Sequence, residues 1–386
     1  MTIDPLAWLD DEANARARQG LTLRLTHRGA TTPGRFERDG RTLVNFGSND
    51  YLGLAADPRL AEAARAAAET YGWGAGASPL VAGWTDAHQA LVDDLAVFEG
   101  TEAVALFPTG FAANLGTIAA LVSPGDAVYA DRLNHACLVD GARLAGARLR
   151  VYPHADADRL ASLLERDRGR FRRSLIATDG VFSMDGDLAP LADLVDLAER
   201  FGAILLVDEA HGTGVFGRDG RGAASACGVA HRVHVRVGTL SKALGSLGGF
   251  VAGSRRLVDH LVNHARTLLY STALPAPVAA SARAALAIVR SEPWRRDRVH
   301  ALAGRLRAGL ATAGIDVGPS TGPIVPVRVG EARNALALSD RLLESGFFAP
   351  AIRPPTVPTG TARLRVSVTA AHHDADVDGL LAVLTP

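Results

Sequence analysis

Six short runs rich in apolar and β-branched residues recur at intervals of about 22 to 30 residues through the middle of this chain: "AVALF" (103–107), "DAVYA" (126–130), "RLRVY" (148–152), "SLIAT" (174–178), "AILLVD" (203–208) and "HVRVG" (234–238). Helical patterns such as "LADLVDLAERFG" separate most of them. Strands alternating with helices predict an α/β fold with a mostly parallel, doubly wound sheet. "AILLVD" is apolar on both faces, as a central strand covered on either side must be. The style changes near residue 280. Two long Arg/Ala-rich helical stretches are followed by "PIVPVRV", a helix, "FFAPAIRPP", "ARLRVSVTA" and a terminal helix, which predicts a smaller α+β domain. The expected organisation is an N-terminal helix or arm over 1–45, a large α/β domain over 46–280 and a small C-terminal domain over 281–386.

The 386 residues carry equal numbers of acidic and basic side chains, so no basic field draws nucleic acid or an anionic membrane. No apolar run approaches a membrane span, and the N-terminus is acidic and amphipathic, unlike a signal peptide. Cys137 and Cys227 form no framework and are expected to be reduced core residues of a cytoplasmic protein.

One residue type is conspicuous by its rarity. "VGTLSKALGSLGG" (237–249) holds Lys242, the only lysine; the other 40 basic residues are arginine. Arginine serves this chain wherever a long cation is needed, so charge alone does not explain Lys242. Guanidinium stays protonated, whereas a buried lysine can lose its proton and form a Schiff base. The expectation is a covalent or proton-transferring lysine.

In open α/β sheets ligands gather at the carboxyl ends of strands. "AVALF" leads into "PTGFAAN", where Thr109, Gly110 and Phe111 open a helix whose free N–H groups suit a phosphate, although an ordinary strand-to-helix turn has the same letters. "AILLVD" ends at Asp208, a buried acid that calls for a cation or a metal, and His211 follows three residues later. "LLVDEAH" also matches the magnesium-binding segment of phosphate-loop NTPases. Those enzymes need G-x-x-x-x-G-K-[ST], and the only lysine here is preceded by Ser241 and followed by Ala243. Pyridoxal 5'-phosphate would use the whole set: an amine for its aldehyde, a helix N-terminus for its phosphate, and a carboxylate to keep its ring nitrogen protonated.

In order and spacing, "FGSNDYLGL", "NHACLVDGARL", "TDGVFSMDGDLAPL", "LLVDEAHGTGVFG", "GTLSKALGSLGG", "LLYSTALP" and "RPPTVPTGTARLRVSVTAAH" resemble the α-oxoamine synthase family of fold-type-I pyridoxal-phosphate enzymes. The match runs from about residue 40 to the C-terminus. "IRPPTVPTGTARLR" points to the branch that joins L-alanine to a pimeloyl thioester, carried on CoA or on a carrier protein. The resemblance implies an acyltransferase of aspartate-aminotransferase-like fold, a homodimer with its site at the subunit interface. It implies Lys242 as Schiff-base lysine and acid/base, Asp208 on the pyridinium nitrogen, His211 and Ser183 near the ring oxygen, and His135 stacked on the ring. Thr109, Gly110, Phe111 and Thr239 would hold the phosphate with Thr272 of a second subunit. Arg365 would bind the amino-acid carboxylate, with Asn49, Arg353 and Arg24 near the substrates. Alternation in "ARLRVSV" puts Arg363 and Arg365 on one face and does not choose between them. Ser78-Pro79 departs from the family's usual Ser-Arg or small residue, which bears on the acyl-binding cleft. The alternatives are a sister synthase that takes glycine with a short acyl-CoA, and a pyridoxal-phosphate-binding protein without turnover.

Overall fold

The computed structural model describes residues 4–23 and 25–385. Its centre is a seven-stranded sheet of β1 (Ala103–Phe107), β2 (Ala127–Asp131), β3 (Arg148–Tyr152), β4 (Ser174–Asp179), β5 (Ile204–Asp208), β6 (Val235–Thr239) and β7 (Gly249–Gly253). The spatial order is β1-β7-β6-β5-β4-β2-β3. β2 to β6 run parallel, and β7 lies antiparallel between β1 and β6. The expected strands are all present within a residue. β7 was not among them.

Alternation along β5 shows why the sheet is covered on both sides. Leu205 and Val207 join one apolar layer with Leu95, Leu194 and Leu286, whereas Leu206 joins the opposite layer with Ile118, Leu138 and Val258. Helices Asp86–Glu99, Leu191–Phe201 and Ala276–Ser291 supply the first face, and Gly110–Leu121, Ala136–Leu144 and Arg255–His264 the second.

After helices Ala276–Ser291 and Trp294–Thr312, the chain forms a three-stranded antiparallel sheet from Ile324–Gly330, Ala351–Ile352 and Ala362–Ser367. A further sheet joins Thr31–Thr32, Arg35–Arg38 and Arg41–Asn45 to Phe347–Phe348. Residues 31–45 are thus paired with the C-terminal region, while helix Trp8–Arg18 buries nothing. Ser367 N–H donates to Phe46 O at 2.7 Å and Ala370 N–H to Tyr51 O at 2.8 Å, so the C-terminal sheet straps the 46–54 loop against the large sheet. Of the two free thiols Cys137 is buried, but Cys227 is exposed beyond a four-residue helix and is not a core residue.

Pro79 opens a single turn, Pro79–Gly83, in which Ser78 O accepts from Val81 N at 3.1 Å and from Gly83 N at 3.0 Å. The first position of a turn needs no N–H, so the backbone accommodates the proline.

The carboxyl edge of the sheet is braced by His154. Its Nδ1 lies 3.1 Å from Asp131 and its Nε2 2.8 Å from Asp187, and these two carboxylates push the imidazole up to about 10. A folded-state pKa above the unfolded value stabilises fully below about pH 6.5 and is lost as pH rises through the folded value. His154→Gln is therefore expected to lose about 2 kcal/mol at pH 6, allowing for the partly wet ring. Denaturant midpoints compared at pH 6 and above pH 10 check this: the deficit should vanish at the higher pH, and an equal deficit at both would refute the charged brace.

Candidate active site

Strand register brings the predicted residues to one edge. Gly249 on β7 stands opposite Phe107 on β1 and Thr239 on β6, and Asp179 on β4 stands opposite Asp208 on β5. Thr109, Gly110, Phe111, His135, Asp208, His211, Thr239 and Lys242 all line one cleft of about 330 Å³ at this edge. A larger open groove of about 1080 Å³ lies at the opposite edge around Arg173, Arg232 and Arg256, and none of the predicted residues faces it.

Thr109 caps helix Gly110–Leu121 by accepting from Ala112 N at 3.0 Å. The N–H groups of the next two residues, at the first turn, have no intrahelical acceptor. A Cβ on Gly110 would lie 3.3 Å from the Thr239 side chain, so the glycine keeps this cradle open. Thr239 Oγ1 donates to Gly248 O at 2.9 Å and lies 2.8 Å from Ser241 Oγ.

Asp208 is only 4% exposed. The expected cation or metal partner is not there: Asp208 accepts from the Asn114 amide at 2.7 Å and from Ala210 N at 2.8 Å, both neutral. No cluster of metal-binding side chains occurs among the described residues. A buried carboxylate with neutral partners retains affinity for an incoming N–H⁺. Asn114 Oδ1 is itself buried without a partner.

Burial pushes the Lys242 amine down to about 8, opposed by Asp208 and reinforced by Arg365. Its Nζ lies 2.8 Å from His211 Nε2, and His211 Nδ1 lies 2.6 Å from the Tyr51 hydroxyl. Burial, then the charges of Lys242 and Arg365, hold His211 well below the usual histidine range, so it is neutral. His135 opens helix Ala136–Leu144 at the cleft mouth, where its backbone N–H donates to Asp179 Oδ2 at 2.7 Å. Burial and the neighbouring Asp208 hold Asp179 well above the usual carboxylate range.

Arg365 is 5% exposed and reaches Asn49 Oδ1 at 3.0 Å, Ser367 Oγ at 2.8 Å, Tyr51 Oη at 3.3 Å and the Ser183 carbonyl. None of these partners is charged. Arg363 differs, since it is paired with Asp185. Ser183 meets Arg365 through its carbonyl and does not line the cleft. Thr272 lies in a separate crevice with Pro79 and Trp84. Arg353 donates to Gly20 O, away from the cleft, and Arg24 lies outside the described residues.

Sequence reasoning passed over Asn114, Asp179 and Tyr51. Asp179 ends an apolar strand just as Asp208 does, so the same signal could have found it. Asn114 is one polar residue in "GFAANLGTIAAL", and nothing but its burial marks it.

An amine, a phosphate-ready turn, an aromatic ring at the mouth and a buried carboxylate lacking a cation fit pyridoxal 5'-phosphate. The model of the family "Aminotransferase class I and II" matches residues 41–384. An 8-amino-7-oxononanoate synthase of Anaeromyxobacter dehalogenans (strain 2CP-1) is 51% identical over 379 residues, covering 98% of this chain and 95% of that protein. A serine palmitoyltransferase of S. paucimobilis, solved with a bound PLP–myriocin aldimine, superposes with a TM-score of 0.93 at 30% identity, covering 99% and 98% of the two chains. An 8-amino-7-oxononanoate synthase of Francisella tularensis superposes at 0.76 with 28% identity, covering 89% and 97%. The chain therefore belongs to the class I and II aminotransferase family, in the branch of the 8-amino-7-oxononanoate synthases.

Proposed function

We propose that the chain condenses L-alanine with a pimeloyl thioester, on CoA or on a carrier protein, to give 8-amino-7-oxononanoate, the free thiol and CO2. It is an acyltransferase of biotin biosynthesis, and pyridoxal 5'-phosphate is its cofactor. The observation that carries the chemistry is Asp208, buried among neutral partners on the strand beside the one that delivers Lys242. Identity to named synthases over nearly the whole chain carries the choice of substrates.

Bound in this cleft, the cofactor supplies a protonated ring that takes up the charge left on the amino acid's α-carbon. The chain's own residues do the rest. Gly110 and Phe111 N–H, with the Thr109 hydroxyl, would hold the phosphate beside Thr239. Asp208 keeps the ring nitrogen protonated, since an adjacent anion raises that nitrogen's pKa. His135 and His211, which both line the cleft, would contact the ring. Lys242, with its pKa brought down toward neutrality, takes the α-proton and returns one to the product. Arg365 would bind the alanine carboxylate, because its cation is not already spent on an acid and one Nη2 hydrogen is still free to donate. Asn49 aligns that guanidinium.

A second copy of the chain completes the site. Ala273 N donates to Ala77 O, which sets the 270–274 loop beside Pro79–Gly83. Trp73, Val81 and Tyr270 in and next to these segments are 71%, 80% and 71% exposed. Apolar side chains left so open suit an interface that brings Thr272 to the partner's phosphate.

Purified protein with pyridoxal phosphate, L-alanine and pimeloyl-CoA should release thiol and CO2, with glycine and L-serine poor substitutes. Lys242→Arg should keep the fold, lose the visible absorbance of bound cofactor and lose at least about a thousandfold in turnover. Normal turnover by that variant would sink the assignment. Arg365→Gln should raise KM for L-alanine about a hundredfold, whereas Arg363→Gln should lower stability and leave KM nearly unchanged. The reverse pattern would move the carboxylate site to Arg363. Sedimentation should give a dimer for the wild type and a monomer of low activity for Val81→Asp; a fully active wild-type monomer would exclude the shared site.

A further inference from the structure

Tyr51 joins the two ends of the site. It is fully buried, and its hydroxyl meets His211 Nδ1 at 2.6 Å, Asn49 Oδ1 at 3.2 Å and the Arg365 Nη2 donor at 3.3 Å. His211 continues through Nε2 to Lys242 Nζ at 2.8 Å. The lengths of these contacts give the chain its direction. Arg365 has no lone pair, so it donates into the phenol oxygen. The phenol has one proton to give, to His211 or to Asn49. The 2.6 Å contact to His211 Nδ1 is much shorter than the 3.2 Å contact to Asn49 Oδ1, which assigns the proton to His211 Nδ1. A neutral imidazole that accepts at Nδ1 carries its own hydrogen on Nε2. That N–H points at Lys242, and only a free amine has the lone pair to receive it.

We propose that Tyr51 is a positioning residue that holds His211 as its Nε2–H tautomer, and that this tautomer keeps Lys242 a free, proton-accepting amine. The proposal rests on the synthase reading only for the use to which that amine is put; the hydrogen bonds stand without it.

Other groups bear on the two side chains. Asp208 on β5 and Asp179 on β4 favour the ammonium, while Arg365 from the C-terminal sheet disfavours it; Cys137, on the helix after β2, also lies near. His211 is faced by Lys242, Arg365 and His135 as well as by Tyr51. Two carboxylates therefore pull a proton onto Lys242, and the His211 N–H acts against them. Tyr51→Phe keeps the ring in place and removes the proton supplied to Nδ1. His211 can then move its hydrogen to Nδ1, turn a lone pair on Lys242 and stabilise the ammonium.

The composition gives a clean readout. Lys242 is the only lysine, so trace acetylation by acetic anhydride, followed by peptide mass spectrometry, reports a single ε-amine, with the N-terminal amine resolved as a separate peptide. In cofactor-free protein the labelling midpoint should lie near pH 8 for the wild type. It should rise by about one unit in Tyr51→Phe, an approximately tenfold slower labelling at pH 7. Nitrogen-15 NMR of histidine-labelled wild type, with the His211 signals identified by their loss in His211→Gln, should show the proton on Nε2. An unchanged labelling profile in folded Tyr51→Phe, or a wild-type His211 protonated on Nδ1, would overturn the proposal. The NMR measurement decides alone if Tyr51→Phe does not fold. Neither measurement involves cofactor or substrate, so failure here is distinct from failure to form product from L-alanine and pimeloyl-CoA.

Discussion

Asp208 is a carboxyl group taken out of water and hydrogen-bonded only by an amide and a backbone N–H. Such a group is costly unless a cation completes it, and among the described residues no arginine reaches it. The surrounding architecture makes sense as support for this deficit. Asn114 fixes one carboxylate oxygen from the helix after β1, and the turn after β5 fixes the other. Glu209, next in sequence, is turned away to accept from Ala223 N and Ala224 N, so it anchors the following helix and leaves the cleft with Asp208 and Asp179 as its acids. A buried anion held by neutral donors is a prepared receptor for a ring N–H⁺.

The second constraint is the seam between the two sheets. The segment Ser183–Asp187 leaves the large sheet and is gripped from both sides. His154 binds Asp187, Arg363 binds Asp185, and Arg365 binds the Ser183 carbonyl. Two arginines two residues apart on one strand face the same loop, and their partners divide the work. The one matched with a carboxylate fastens the C-terminal sheet. The one matched with neutral oxygens remains a cation that can bind a carboxylate. Alternation along "ARLRVSV" could put both side chains on one face, but only their partners tell the anchor from the ligand site.

The same logic separates what could be read from the letters and what could not. Strands β1 to β6 were legible because each is a run of apolar or β-branched residues bounded by turns. β7 was not, since "GFVAG" has glycine at both ends and glycine weakens a strand. Yet a Cβ on Gly249 would lie 2.5 Å from Thr109 O, so the residue that hides the strand is the one that lets it run beside the phosphate turn. Lys242, Asp208 and the 109–111 turn announced themselves through rarity, burial cost or helix geometry. Tyr51 gave no such signal: its role is a matter of three contacts, to Asn49, His211 and Arg365, of which the last two lie far away in sequence.

Those contacts also explain why one lysine persists in a chain that otherwise uses arginine. At position 242 the side chain is half-buried, near two carboxylates, with an imidazole nitrogen 2.8 Å from its end. An arginine would satisfy the carboxylates well, and for that reason would be inert: it would stay charged, with no lone pair to offer at any pH the fold tolerates. A lysine is poised because desolvation and the neighbouring Arg365 cation work against those acids. The forty arginines do the work of fixed charge, including the ion pairs that fasten Asp185 and Glu99 in the interior. The single lysine stands where the charge has to come and go.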